Sequence, residues 1–149
     1  MEMNAPDLSK RPPRSPRVRL GGYCLLPRML DKGRATLAGK NGAFNYNCPL
    51  DQHFIKFVGI DANALLRELK KGKGDGEILN WITKNAKFKS SLTAIFAWSA
   101  YQDQRAPADL ESRIFFNDYQ KNTAPKREDV SSWFDLLDID DHVTFGGKA

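Results

Sequence analysis

The sequence predicts a mainly α-helical single domain: a compact packing of several helices, an extended N-terminal arm, and at most one short two-stranded β element. Three observations lead there. From residue 49 onward, apolar residues recur at helical spacing in one segment after another, several of them opened by Asp or Ser. The links between these segments are short, as in helical bundles. Residues 11–19, by contrast, hold Pro12, Pro13 and Pro16, which fix φ, remove donors and push their predecessors towards extended backbone.

In chain order, residues 1–10 have little apolar content and are expected to be mobile. Residues 11–22 form the basic arm, carrying Arg14, Arg17 and Arg19, and Gly21-Gly22 permits a turn or a close backbone approach. Pro27 suits the first turn of a helix running to about Ala38, with Leu26, Leu30, Gly33 and Leu37 on one face. Asp31 precedes Arg34 by three residues, a spacing for an ion pair, and Arg28 and Lys32 share the opposite face, expected to be solvent-side. Phe44, Tyr46 and Cys48 alternate with smaller or polar residues. That is a strand pattern, with the region 21–25 as its expected partner.

Beyond Pro49 the helices follow. Leu50, Phe54, Phe57 and Val58 mark one that stops at Gly59, and Asp61 caps the next, with Leu65, Leu66 and Leu69 inside it. A basic, glycine-containing loop over 70–74 leads to Asp75, the expected cap of a helix with Ile78, Leu79, Trp81 and Ile82. Ser90 or Ser91 opens a segment with Leu92, Ile95, Phe96, Trp98 and Tyr101, apolar on most sides and so expected to be the central buried helix. Asp109 caps a helix with Leu110, Ile114, Phe115, Phe116 and Tyr119. Asp129 is the expected cap of a last helix with Val130, Trp133, Phe134 and Leu137. Residues 138–149 read as a loose tail, acidic and then glycine-containing.

The 149 residues suffice for one domain with a real core, and 41% hydrophobic content with sixteen aromatics argues against disorder over most of the length. The net charge of +5 is unevenly placed: residues 1–40 hold nine Lys and Arg against three acids, a net +6 that leaves −1 for the rest. Cys24 and Cys48 make no disulfide framework at this size, the N-terminus has no apolar signal-peptide core, and no apolar run is long enough to span a membrane. A soluble, cytoplasmic protein with no membrane association is the expectation.

Four segments are familiar as a set: SPRVRLGGY at 15–23, LPRMLDKGRA at 26–35, NCPLD at 47–51 and KREDVSSWFDLLDIDD at 126–141. Together they resemble an uncharacterised bacterial family, domain of unknown function 5069, over nearly the whole chain. The resemblance implies a bacterial, cytoplasmic, single-domain protein. It supplies no activity, substrate or catalytic residue.

The residues themselves favour a small anionic ligand, phosphate or carboxylate, in a cationic groove. Arg side chains grip such groups bidentately and Lys adds a point charge. The groove would use Arg14, Arg17, Arg28, Lys32 and Arg34, with Gly21, Gly22 and Asp31 in support. The plain alternative is that Arg34 pairs with Asp31 and the other cations are solvated or meet acids elsewhere, such as Asp135, Asp138, Asp140 and Asp141.

A second function class is protein interaction or homodimerisation through exposed aromatics, most plainly around Trp98 or Trp133. A third is nucleic-acid binding through the basic arm, weakened by the lack of any reading motif. Cys24, Cys48, His53 and His142 have no metal-ligand spacing, and the acids at 138–141 lack the form of a calcium loop, so no metal is expected. No cofactor is indicated. Gly72-Lys73-Gly74-Asp75-Gly76 lacks phosphate-loop spacing and reads as a linker. No nucleophile–base pair is visible, and the sequence leans away from an enzyme.

Overall fold

Pro27, with φ preset for helix and no N–H to lose, stands in the first turn of α1 (Leu26–Leu37). A computed structural model describes residues 4–149, and the six helices that follow among them are α2 (Pro49–Val58), α3 (Ala62–Lys70), α4 (Asp75–Asn85), α5 (Leu92–Gln104), α6 (Leu110–Thr123) and α7 (Trp133–Thr144). The protein is mainly α. No helix among the described residues is long and apolar enough to cross a membrane.

The central helix is α1, nine of whose twelve residues are buried. Leu26, Met29 and Leu30 meet Phe54 and Val58 of α2, Leu65 and Leu69 of α3, and Ile78 and Ile82 of α4 in the main core. Gly33 lets α1 come close to its neighbours: a Cβ there would lie 2.6 Å from Leu69 Cδ1 and 3.3 Å from the Tyr46 ring. The segment expected to be central, α5, buries only Ile95, Ser99 and Gln102 and exposes Leu92, Phe96 and Tyr101. An all-round apolar helix carries no stripe to orient it, and α1 hid its role because three of its buried residues are charged.

Caps decide several boundaries. Asp61, Ser91 and Asp109 accept from the amides of Ala64, Ala94 and Ser112 as N-caps should. Asp75 does not cap α4; Gly74 does, and the Asp75 carboxylate is taken up by two arginines. Asp129 does not cap α7 either. Ser132 accepts from Asp135 N–H and Asp135 accepts in return from Ser132 N–H, a capping box, while Asp129 pairs with Arg127 at 2.8 Å. Because α7 runs to Thr144, residues 138–144 are helix and not tail.

The expected two-stranded ribbon is absent among the described residues. The one bridge joins Leu20 to Tyr23 across Gly21 and Gly22, whose φ values of +60° and +86° only glycine adopts freely. The 43–48 segment is turn: the Asp51 carboxylate accepts the amides of Asn47 and Cys48, and Tyr46 donates its hydroxyl to Ala62 O at 2.6 Å. Side chains alternate there, but no strand lies alongside. Within the segment expected to be mobile, residues 1–3 lie outside the described residues, whereas Leu8 is buried and its amide donates to Lys40 O at 2.8 Å.

Candidate anion-binding cleft

The five cations singled out from the sequence do not gather in one groove, because each meets a carboxylate. Arg28 and Lys32, expected on a solvent face, are each 3% exposed. Arg28 Nη1 lies 2.7 Å from Asp141 Oδ2, and Lys32 Nζ 2.8 Å from Asp51 Oδ1, with the Cys48 thiol 3.2 Å away. Arg17 reaches α7 instead, pairing with Asp135 and with Asp138 at 3.2 Å. A buried cation with a buried partner reads in sequence like a solvated one, since its partner is 113 residues away for Arg28.

Burial drives the Asp141 carboxyl above its ordinary range, helped by the neighbouring charges of Asp140 and Asp138, and the Arg28 bonds pull the other way. Arg28 also stacks over the Phe44 ring, its guanidinium 5.6 Å from the centroid. These contacts tie the end of α7 to α1.

Arg14 and Arg34 do come together, though not around Asp31. The Asp31–Arg34 pair anticipated within α1 does not form; Asp31 takes Arg14 Nε and Nη2, both at 3.0 Å, together with the Arg14 amide at 2.9 Å. Asp75 then bridges the two arginines, 2.8 Å from Arg14 Nη1 and 2.7 Å from Arg34 Nη1, and Arg34 Nη2 donates to Lys73 O at 3.2 Å. Burial alone would raise the Asp75 carboxyl, but the hydrogen bonds from Arg14 and Arg34 outweigh it and hold the group below its usual range. Burial likewise opposes the charge on Arg14, yet Asp75 and Asp31 keep its pKa above the ordinary arginine value.

This bridge forms one wall of a cleft of about 370 Å³ that Arg11, Gly72, Lys73 and Gly74 also line. Four cations there face two aspartates. Lys73 is shared with Glu68, while Arg11 is exposed and enters no ion pair among the described residues. The start of α4 opens at the same place, and first-turn amides of a helix have no partner within it. Gly21 and Gly22 take no part; they pack against Leu79 and Phe96.

Sequence reasoning missed Arg11, Lys73 and Asp75 as members of the cleft. The signal was present in Gly72-Lys73-Gly74-Asp75-Gly76, but only the fold shows that this loop lies beside the arginine arm. Among the described residues no three of His, Cys, Asp and Glu converge as a metal would require.

Over residues 10–143 the chain matches the family described as "Domain of unknown function (DUF5069)", and it belongs to that family. No curated protein matches it.

Proposed function

We propose that this protein binds a small anionic ligand, phosphate or carboxylate, in the cleft between the arm, α1 and the loop before α4. The observation that carries the reading is the convergence of Arg11, Arg14, Arg34 and Lys73 with a glycine loop and a helix start on one cavity. Arg14 and Arg34 are held rigid by Asp31 and Asp75, so little side-chain entropy remains to be lost on binding. Arg11, Lys73 and the α4 amides supply the donors for the anion. The two aspartates favour an anion that also carries hydroxyl or ammonium donors, as sugar phosphates and amino acids do. The free thiols Cys24 and Cys48 accord with a cytoplasmic setting.

Thermal denaturation with inorganic phosphate, sugar phosphates, nucleotides and carboxylates tests this. A ligand at a hundredfold excess over its Kd stabilises by about 2.7 kcal/mol, and Arg11→Gln should cut that gain without lowering the stability of the free protein. No stabilisation by any of these anions, or an undiminished gain in Arg11→Gln, overturns the proposal.

The second reading, an interaction or homodimerisation module, is favoured by the exposed side chains of α5 and α6: Leu92, Phe96, Tyr101, Leu110, Ile114 and Phe115. Trp98 and Trp133 are poorer anchors than their chemistry suggests. Trp98 stacks on Phe57 at 4.8 Å, and Trp133 packs edge-on to Phe116 at 5.3 Å. Light scattering across a concentration range distinguishes a monomer from a dimer. Nucleic-acid binding stands third, since Arg14, Arg17 and Arg19 of the arm are each paired with aspartate; it requires affinity that falls steeply with salt.

A further inference from the structure

A second cavity, of about 380 Å³, lies between α2, the end of α5, α6 and α7. Its character is opposite to that of the cationic cleft. Its walls are mostly apolar, with Leu50, Phe115, Trp133 and Leu137 among them, and its polar lining is His53, Arg105, Tyr119 and Asp140. The volume lies within the range of small-molecule sites, where apolar walls supply affinity and a few polar groups set orientation.

The polar groups are not equivalent. Tyr119 and Asp140 are neighbours: burial, with the nearby Asp140 charge, raises the Tyr119 phenol above its ordinary pKa. Burial, with the nearby charges of Arg105 and Lys56, holds the His53 imidazole below its ordinary pKa and therefore uncharged at neutral pH. Arg105 differs from both. Its backbone is pinned, with its amide donating to Gln102 O at 3.3 Å and its carbonyl accepting from Trp133 N–H at 2.9 Å. Its side chain is half-buried, yet it makes no hydrogen bond or ion pair with any described residue. The other buried or half-buried arginines described above, Arg14, Arg28 and Arg34, each have a carboxylate.

We propose that this cavity is a binding site for a small amphipathic carboxylate, an aromatic or branched-chain acid, whose apolar body lies among Leu50, Phe115, Trp133 and Leu137 and whose carboxylate pairs with Arg105. Charge complementarity selects this occupant. A neutral apolar molecule leaves the guanidinium unpaired, and a phosphate without an apolar body gains nothing from the walls. His53, neutral and close to Arg105, adds a hydrogen bond without adding charge. The site is independent of the cationic cleft and survives if that proposal fails.

The probes are 3-phenylpropanoate, its amide and acetate, titrated into the full chain by calorimetry or followed through Trp133 indole shifts in NMR. The acid should bind saturably. The amide should bind at least about tenfold more weakly, the fold-change of losing a charge-assisted hydrogen bond, and acetate should not compete. Arg105→Gln should bring acid and amide to the same affinity while its melting temperature stays close to that of the parent, because no hydrogen bond or ion pair of the side chain is lost. Equal affinity of acid and amide for the parent, unchanged preference in Arg105→Gln, or no saturable binding of the acid each overturns the inference.

Discussion

Arg28→Met tests the claim that the middle of α1 is an ionic core and not a solvated face. The substitution keeps the aliphatic length of the side chain and removes both bonds to Asp141, at 2.7 and 3.4 Å, and the one to Arg14 O at 3.2 Å. The side chains of Arg28 and Asp141 are 4% and 10% exposed, so Asp141 is left as a buried charge with Asp140 and Asp138 nearby. Breaking such a pair from one side costs about 3–5 kcal/mol, which for a chain of this size lowers the melting temperature by roughly 6–20 °C.

The sign with pH follows from Asp141. Its folded pKa already lies above the ordinary carboxylate value, and losing Arg28 raises it further, so the native state holds the proton more tightly than the unfolded chain. The penalty is therefore fully present at neutral pH, shrinks as pH falls through the folded pKa, and is gone below the unfolded value. Urea denaturation of parent and variant between neutral pH and about pH 4 measures the difference. Arg28→Met/Asp141→Leu should recover much of the loss, since apolar replacement of both partners is tolerated far better than removal of one. A loss under about 1 kcal/mol at neutral pH, typical of an exposed pair, refutes the reasoning.

Arg17→Gln should stay within about 1 kcal/mol of the parent in the same denaturation assay, because its pairs with Asp135 and Asp138 are largely solvated. Ser99→Ala should cost about 1–3 kcal/mol, since the fully buried hydroxyl accepts from Cys24 N–H at 3.0 Å and donates to Gly22 O at 2.6 Å. In thiol labelling of the native protein near pH 8, Cys48 should react well before Cys24, whose thiol burial pushes up to about 11. Simultaneous labelling would contradict the packing of Cys24 beneath α5.

The helices were legible because their signals are local. Pro27 opens α1, Gly59 ends α2 in a left-handed conformation, and Asp61, Ser91 and Asp109 cap where their side chains reach the third amide onward. The errors fall where a local signal has two outcomes. Asp75 and Asp129 are good caps by type, but arginines compete for both carboxylates, and Gly74 and Ser132 take the cap positions instead. The 44–48 alternation needs a neighbouring strand to become a ribbon, and the amides there turn to Asp51.

The sequence by itself determined the helical class, most element boundaries and the concentration of positive charge in the first forty residues. Tertiary structure decided what that charge does. Arg28 and Lys32 are buried against Asp141 and Asp51, Arg17 fastens the arm to α7, and Arg14 and Arg34 meet at Asp75 beside a loop nearly forty residues from α1 in sequence. A helix cap acts within four residues and is written locally, whereas an ion pair needs a partner that only the folded chain supplies.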